Sequence, residues 1–313
     1  LAVIGEEPVH AGIKIVGSHI DSPRLDLKAN PVHEQDGIVY FRTHYYGGIK
    51  KYQWTCIPLA LIGVVYTKDG KKVDINIGLK DDDPIFYVSD LLIHMAQDQM
   101  KKTLAEGITG EQLQAIAGTN AEENLKPKEV FMKMLKDTYG IEEEDFAAAE
   151  LELVPATKSR DVGFDRSLIA SYGQDDRVCS YANLEAILQA KPGVKTQAAL
   201  LTDKEEIGSY GNTGMESSYF VKFVMKLLSL QGKNTILDFY ETMENSEMLS
   251  ADVNSCLDPM FAEVSEKDNA SFLGYGINLT KYGGARGKSG SNDANAEFLQ
   301  KIRTIFNLSL IHI

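Results

Sequence analysis

The chain has 313 residues, 43% of them hydrophobic, and its 45 acidic residues against 32 basic ones give a net charge of −13. This length and composition predict a globular protein with one large core or two domains. The acidic balance opposes binding to nucleic acid or to an anionic membrane surface, and no apolar run reaches the ~18 residues of a membrane span.

Cysteine use favours a reducing compartment. The three cysteines lie far apart and form no CxxC pair, so neither a disulfide framework nor a thiolate zinc site is predicted. They are Cys56, Cys179 and Cys256. The first residues lack the basic and then apolar layout of a signal peptide, so we expect a cytoplasmic protein.

Both ends of the sequence indicate that the chain is a fragment of a longer protein. The chain begins at Leu1 instead of methionine, and residues 308–313 form an apolar tail without a helix cap or a stop signal. We therefore expect a longer protein that extends beyond this chain on both sides.

A β-branched run over residues 12–18 predicts a buried strand that leads into His19 and Asp21. Because side chains alternate along a strand, these two residues lie on the same face. His19 can then bind a metal ion while Asp21 orients its ring from behind. A purely structural histidine at the strand end is the alternative.

The pattern of predicted elements changes between about residue 30 and residue 155, and we interpret this segment as an insertion. Hairpin-like strands come first, and helices are predicted over residues 89–96 and 128–139, the latter ending at Gly140. The apolar residues of these helices are assigned to a core or a subunit interface. His44 lies beside a loop of aromatic and glycine residues and is a candidate for contacting a substrate, although a tight turn explains the loop equally well.

A periodic apolar stretch over residues 178–188 predicts a helix, and Asp176 lies where this helix begins. Aspartate is among the best N-cap residues, so a capping role accounts for it. A carboxylate also offers one oxygen to each of two cations, so Asp176 is a candidate for a shared metal ligand.

The apolar run at residues 197–202 stops abruptly before two adjacent acids, Glu205 and Glu206. It predicts a buried strand that delivers both carboxylates to its carboxyl end, where open α/β sheets bind ligands. Two neighbouring acids do not easily do the same work, so one is a candidate cation ligand and the other a general base. A solvated pair that opens a helix is the alternative.

Further along, residues 220–230 predict a helix and residues 247–253 a short strand that ends in an acid, Asp252. Taken alone, Asp252 is a turn residue. It is nevertheless the fourth site in the chain where an acid or a histidine lies at a strand end or loop. This recurrence predicts one shared active site at the carboxyl edge of a sheet.

Residues 273–280 predict a strand that runs into a cationic, glycine-rich loop beginning at Lys281, and residues 292–306 predict a helix. The loop contains Gly-Lys-Ser at residues 287–289, but the spacing to the preceding glycine does not fit a phosphate-binding loop. The cations of this loop are candidates for meeting an acidic group of a substrate.

Six stretches of the sequence resemble the aspartyl aminopeptidase family of dinuclear zinc aminopeptidases, most of all its bacterial and clostridial members. They are GSHIDSPRLDLK at Gly17, HYYGGIKKYQW at His44, GQDDRVCSYANLEA at Gly173, DKEEIGS at Asp203, LSADVNSCLDP at Leu249 and TKYGGARGKSGSNDANAEF at Thr280. The resemblance covers nearly the whole chain, and several long motifs in one order are highly specific.

The resemblance implies an α/β fold with a phosphorylase/hydrolase-like, three-layer catalytic domain. This domain would comprise residues 1–30 and 156–313, incomplete at its carboxyl end. Residues 31–155 would form an inserted dimerisation domain, mostly of strands with some helices. Dimers of the family build a tetrahedral dodecamer, so we expect a homo-oligomer with peptides as substrates and with no nucleic acid or membrane partner.

The resemblance also implies two Zn²⁺ per subunit, with Co²⁺ or Mn²⁺ as alternatives. His19 and Asp252 would hold one zinc, Glu206 the other, and Asp176 would bridge both. The last metal ligand of the family is a histidine in a Met-His-Ser/Ala motif, and this sequence contains no such motif.

Carried over by position, Glu205 would be the general base, Asp21 would orient His19, and Lys281 would lie near the substrate. The implied reaction is the removal of amino-terminal residues from peptides by metal-activated water. Cations such as Lys281 favour Asp or Glu at the amino terminus, with a solvent-facing role as the alternative. The rival functions are a related dinuclear zinc carboxypeptidase or deacylase, and a non-catalytic oligomeric scaffold.

Overall fold

The computed structural model describes residues 1–281 and 294–308, and the chain divides into two compact units, Leu1–Ala251 and Asp252–Ile313. The strands of the first unit are β1 (Ala2–Val3), β2 (Ile13–His19), β3 (Arg24–Gln35), β4 (Ile38–Tyr46), β5 (Pro58–Tyr66), β6 (Lys72–Ile77), β7 (Phe86–Tyr87), β8 (Ala115–Gly118), β9 (Ala149–Pro155), β10 (Arg160–Val162), β11 (Leu168–Ala170), β12 (Thr196–Thr202) and β13 (Glu247–Ser250). Its α-helices are α1 (Pro127–Tyr139), α2 (Gln174–Gln189), α3 (Tyr219–Ser229) and α4 (Ile236–Glu244). The chain is therefore a mixed α/β structure.

One of the sheets has four strands, in the order β1-β12-β2-β13. Strands β12 and β13 run parallel to β2, and β1 runs antiparallel to β12. This arrangement confirms the strands predicted over residues 12–18 and 197–202, while the strand predicted to Val253 ends at Ser250. Because β2 lies between two parallel neighbours, it is almost entirely buried, as its β-branched composition predicts.

Helices α3 and α4 cover this sheet with apolar side chains. Val224 and Leu228 of α3 and Phe239 of α4 form one buried cluster with Ile13 and Ile15 of β2. Helix α2 instead brings hydroxyl and amide groups to β2, since its residues Ser180 and Asn183 are buried and hydrogen-bond to Ser18. The helices predicted over residues 178–188 and 220–230 are confirmed.

The remaining strands between Arg24 and Pro155 form a seven-stranded sheet in the order β6-β5-β7-β8-β4-β3-β9. An additional antiparallel pairing of β5 with β9 closes six of these strands into a barrel and leaves β6 at the edge. The barrel is filled by a large apolar cluster that includes Leu25, Phe41, Leu59 and Leu153. Helix α1 packs on it and ends at Gly140, whose left-handed φ of 71° closes the helix as predicted.

The helix predicted over residues 89–96 is wrong. Within residues 89–96, all of which the structure describes, the helical structure is limited to one short 3₁₀ turn, Ile93–Met95, and a second turn, Gln99–Lys101, follows the predicted range. The apolar side chains of Leu91, Leu92 and Ile93 are exposed within the first unit, so no packed apolar face stabilises a helix at this place.

The second unit contains α5 (Ala296–Leu308) and the 3₁₀ segments Pro259–Val264 and Lys267–Asn269. The strand predicted over residues 273–280 is wrong, because Gly274 and Gly276 adopt φ values of 81° and 93° that interrupt an extended backbone. The predicted helix is confirmed from Ala296, whereas its predicted start at residue 292 lies outside the described residues. So do the Gly-Lys-Ser triplet at residues 287–289 and the rest of its loop after Lys281.

Candidate metal centre

The carboxyl ends of β2 and β12 lie side by side, because His19 at the end of β2 pairs in register with Thr202 at the end of β12. The backbone N–H of Ile20 donates to the carbonyl of Thr202 at 2.8 Å and ties the two loops together. Glu205 and Glu206 begin a 3₁₀ turn two residues after the end of β12. The strand-end histidine and the two acids therefore meet at one edge of the parallel sheet, as expected from the sequence.

Asp21 connects these two loops through its buried carboxylate. Its Oδ1 accepts from the backbone N–H of Glu205 and its Oδ2 from that of Glu206, both at 3.2 Å. The Nδ1 atom of His19 lies 3.3 Å from Oδ1 and 3.1 Å from the backbone oxygen of Asp21. Asp21 thus fixes both the imidazole ring and the backbone of the acidic loop.

The imidazole of His19 is nearly inaccessible to solvent. Both Asp21 atoms near Nδ1 are acceptors, so we assign the ring hydrogen to Nδ1. The Nε2 atom then carries a lone pair, yet it lies 3.0 Å from Asp175 Oδ1 and 3.8 Å from Glu205 Oε2. A lone pair that faces two carboxylates needs a cation between them, either a second ring proton or a metal ion.

Asp175 and Asp176 are adjacent in sequence but differ in their surroundings. The Asp175 side chain is 55% exposed and points its Oδ1 at the imidazole. Asp176 is fully buried, and its Oδ2 accepts from the backbone N–H of His19 at 3.3 Å. Burial raises the pKa of Asp176. Among residues 1–281 and 294–308, its Oδ1 has no hydrogen-bond partner.

Glu206 lies in a half-buried position beside the other acids. Burial, together with the negative charges of Asp175 and Glu205, raises the pKa of Glu206 to about 7. Gly47 packs against it, since a Cβ atom added there would lie 3.3 Å from the Glu206 Cβ. A concentration of acids that weakens ionisation in this way favours a bound cation, whose charge would restore the carboxylate.

Tyr46 is a site residue that sequence reasoning missed. It is buried at the end of β4, and its hydroxyl donates to Asp21 Oδ2 at 2.6 Å. Burial and this hydrogen bond raise the pKa of the Tyr46 phenol. The sequence showed an aromatic and glycine loop here, but no periodicity could indicate that its second tyrosine turns inward toward Asp21.

A cavity of about 520 Å³ opens next to the acidic cluster. Asp175 borders it, together with Lys50, Trp54, Tyr172 and Gln174. Its wall therefore combines a carboxylate of the cluster with aromatic rings, an amide and an ammonium group. Such a mixture of apolar and a few polar groups is typical of small-ligand sites.

The remaining predicted site residues are His44, Asp252 and Lys281. His44 is exposed on β4, with its ring parallel to that of Tyr45 at a centroid distance of 6.0 Å. Asp252 and Lys281 belong to the second unit, where both are exposed. The structure therefore brings His19, Asp21, Glu205 and Glu206 together within the first unit.

Comparison with known proteins identifies the family. A family model described as aminopeptidase I zinc metalloprotease (M18) matches residues 1–312. The chain belongs to the peptidase M18 family. The resemblance to zinc aminopeptidases found in the sequence motifs is therefore confirmed.

Curated M18 relatives match over almost the entire chain. A probable M18 family aminopeptidase 1 of Clostridium acetobutylicum is 50% identical over 309 residues, which are 97% of this chain and 66% of that protein. One from Thermotoga maritima is 46% identical over 300 residues, which are 95% of this chain and 66% of that protein. The chain thus spans about two thirds of the length of these M18 relatives.

Solved M18 structures share the fold. The aminopeptidase (M18 family) from Thermotoga maritima gives a TM-score of 0.94 at 42% identity and covers 99% of this chain and 72% of that one. Aminopeptidase I from Clostridium acetobutylicum gives 0.91 at 47% identity, with 97% and 67% covered. The yeast mApe1 dodecamer, at 19% identity and a TM-score of 0.71, shows likeness of fold alone. Within the described part of the chain, no helix combines the length and apolarity that crossing a bilayer requires.

Proposed function

We propose that this M18 chain carries the metal-binding core of a zinc-dependent aminopeptidase that removes amino-terminal residues from peptides. The observation that carries the proposal is that His19 Nε2 lies 3.0 Å from a carboxylate oxygen of Asp175 and 3.8 Å from one of Glu205. Imidazole nitrogen and carboxylate oxygen are the ligands of catalytic zinc sites. The donor set of the first unit therefore fits the metal that the family name specifies.

His19, through Nε2, and Glu206 would bind zinc as the sequence predicted. For the shared ligand we propose Asp175 in place of Asp176, because the Asp175 carboxylate lies 3.0 Å from the imidazole. Asp176 would support the site from behind by holding the backbone N–H of His19. Two Zn²⁺ per subunit, the substitution of Co²⁺ or Mn²⁺, and the ligand role of Asp252 remain part of this proposal.

Glu205 is the proposed general base. Its carboxylate is about half exposed and lies within 3.8 Å of the imidazole, so it borders the proposed metal position and can reach a water molecule there. Zinc, when bound, supplies a Lewis acid that brings the pKa of a water ligand to about 7. Glu205 would take a proton from the attacking water and pass it to the leaving amine.

The cavity beside Asp175 is the proposed position of the amino-terminal residue of the substrate. Lys50 on its wall is a cation that would pair with an acidic side chain. A preference for Asp or Glu, predicted earlier from Lys281, is kept here as a proposal, and so is a substrate contact by His44. Comparing kcat/KM for Glu and Leu substrates in the Lys50→Ala and Lys281→Ala variants would assign the preference to one of these cations or to neither.

We also propose the finer architecture that the family resemblance implies. The four-stranded sheet and its helices would belong to a three-layer catalytic domain, and the barrel would be the inserted dimerisation domain. Exposed apolar side chains at Leu92, Met95 and Leu104 support a homo-oligomer, since such residues are usually covered in an interface. A dodecamer built from dimers is the expected assembly, and sedimentation velocity measures it directly.

The test of the proposed function compares the two neighbouring acids. Glu205→Gln should keep zinc content near that of the unmodified protein and lower turnover by about 100- to 10,000-fold, because only the base is lost. Glu206→Gln should instead lower zinc content. The substrates are amino-acid anilides with free and with acetylated amino groups, measured before and after removal of metal by a chelator.

Each outcome separates one reading from another. Turnover of free but not acetylated substrates, restored by adding zinc, supports an aminopeptidase. Turnover of acetylated substrates or of carboxyl-terminal residues would favour a dinuclear deacylase or carboxypeptidase. Zinc binding without any turnover would favour a scaffold. Equal loss of metal in Glu205→Gln and Glu206→Gln would contradict the division of roles between the two acids.

A further inference from the structure

Tyr46 joins the barrel to the candidate metal centre. It is the last residue of β4, and its side chain is buried. Its hydroxyl donates a 2.6 Å hydrogen bond to Oδ2 of Asp21, which lies in the loop after β2 of the four-stranded sheet. This contact is short and made to a carboxylate, so it belongs to the stronger class of hydrogen bonds.

The carboxylate of Asp21 connects the Tyr46 hydroxyl to the other groups of the site. Within the described part of the chain, its Oδ2 receives one further hydrogen bond, the longer one from the backbone N–H of Glu206. Its Oδ1 receives the backbone N–H of Glu205 and lies beside Nδ1 of His19. Removing the Tyr46 hydroxyl would therefore take the shorter hydrogen bond from one oxygen of a carboxylate that orients the imidazole and both acids.

The ring of Tyr46 is itself held in place by cations. The guanidinium of Arg24 lies 3.8 Å from the ring centroid, and Nζ of Lys204 lies 5.6 Å from it. Arg24 is fixed in turn by Asp26 at 2.7 Å and by Glu152 at 3.2 Å. These contacts leave the phenol little freedom to leave Asp21.

The loop around Tyr46 contacts the acidic turn a second time. Lys204 directly precedes Glu205, so its contact with the ring links the phenol to the start of the turn. Gly47 follows Tyr46 at a φ of 80° and packs against the side chain of Glu206. A larger residue at Gly47 would be strained in this backbone conformation.

We propose that Tyr46 is a positioning residue of the zinc site, acting through Asp21 on His19 and on the turn that carries Glu205 and Glu206. The barrel then does more than supply an interface, since its strand β4 sets the geometry of the metal ligands. The inference rests on the proposed zinc-binding function. The chemistry that it concerns is a divalent zinc ion held by imidazole and carboxylate.

The test is Tyr46→Phe, which deletes one oxygen and keeps the ring between its neighbours. Zinc affinity is measured with zinc alone against a competing chelator, and we expect it to fall about 10- to 100-fold, the usual effect of losing a group that orients a ligand. We expect kcat to fall with KM almost unchanged. Thr43→Val is the matched control, because Thr43 lies on the same strand, is buried, and donates its hydroxyl to the carbonyl of Leu113.

A double-mutant cycle tests whether the effect passes through Asp21. In an Asp21→Asn background, Tyr46→Phe should cause no further loss of zinc affinity, because the carboxylate that it orients is already gone. Arg24→Lys keeps the hydroxyl but loosens the ring, so it should weaken zinc binding less than Tyr46→Phe. This variant decides the question if Tyr46→Phe does not fold.

Two results would overturn the inference. One is an unchanged zinc affinity in a folded Tyr46→Phe protein, and the other is a full additional loss in the Asp21→Asn background. A loss equal to that of Thr43→Val would also reduce Tyr46 to a structural residue. Failure of the unmodified protein to bind zinc would instead reject the proposed function, so the two failures are distinguishable.

Discussion

The barrel core and the carboxyl edge of the four-stranded sheet are both buried, but their chemistry is opposite. In the barrel, the ring centroid of Phe41 lies 5.6 to 6.3 Å from the ring centroids of three other phenylalanines, in tilted and edge-on contacts. They are Phe86, Phe131 and Phe146. At the sheet edge, the buried residues are polar. They are Ser18, His19, Asp21, Ser22, Asp176, Ser180 and Asn183.

This difference distinguishes a region that stabilises the fold, the barrel core, from a region that fixes the geometry of the site, the sheet edge. Apolar burial is favourable in any orientation, so the barrel contributes free energy of folding that depends little on the exact pose of one ring. Burying a polar group is unfavourable unless it is hydrogen-bonded, and hydrogen bonds are directional. The sheet edge therefore fixes the directions of the ligand atoms. The apolar regions offset the free-energy cost of burying its polar groups.

Truncation in the barrel should give the largest effect on stability. Phe131 of α1 is buried against Phe41, so Phe131→Ala should lower the free energy of unfolding by about 3–5 kcal/mol. Zinc affinity of the folded protein should stay the same, because the site is held by other contacts. Urea unfolding and a chelator competition measure the two quantities.

A matched control lies on the same helix. Met134 is 49% exposed, so Met134→Ala should change the free energy of unfolding by less than about 0.5 kcal/mol. A clear loss of zinc affinity in folded Phe131→Ala would break the separation between the two regions.

The sequence predicted most of the sheet edge because its signals are local. An apolar run followed by polar residues predicts β2 with His19, and a second such run predicts β12 with Glu205 and Glu206. The parallel pairing of the two strands agrees with their buried, apolar composition. The helix predicted near residue 89 failed because its apolar residues remain exposed, and no local pattern reveals what a segment packs against.

Tertiary contacts decide the parts that the sequence left open. Asp175 and Asp176 are equivalent as adjacent acids, and only the fold directs one toward the imidazole and buries the other. Tyr46 contacts Asp21, which lies 25 positions earlier in the chain, and the contact joins a barrel strand to the loop after β2. Spacing rules for one helix or one strand carry no information about such a pair.

The second prediction uses pH to distinguish the two regions. In metal-free protein, Glu206 has a pKa of about 7, raised from an ordinary value near 4.5. Between these values the folded state holds the proton more tightly than the unfolded state does. The resulting stability is fully present below pH 4.5 and is lost as pH rises through 7.

The expected loss is about 1–2 kcal/mol, because Glu206 is only half-buried and solvent screens its neighbours. Chelator-treated protein is unfolded with urea at several pH values between 4.5 and 8, and Glu206→Gln is treated in parallel. The difference in pH dependence between the two proteins isolates this carboxyl group. Identical pH dependence would remove Glu206 as its source, whereas the Phe131→Ala variant should keep the wild-type dependence.

The smallest expected effect compares one hydroxyl from each region. Ser180 donates to the carbonyl of His19 at 2.7 Å, and Thr55 donates to the carbonyl of Tyr52 at 2.9 Å. Both side chains are buried, so Ser180→Ala and Thr55→Val should each lower the free energy of unfolding by about 1 kcal/mol. Only Ser180→Ala loosens the backbone of a proposed zinc ligand, and it should weaken zinc binding by less than about tenfold. Equal zinc affinities in the two variants would show that the hydrogen bonds beneath His19 stabilise the fold without orienting the ligand.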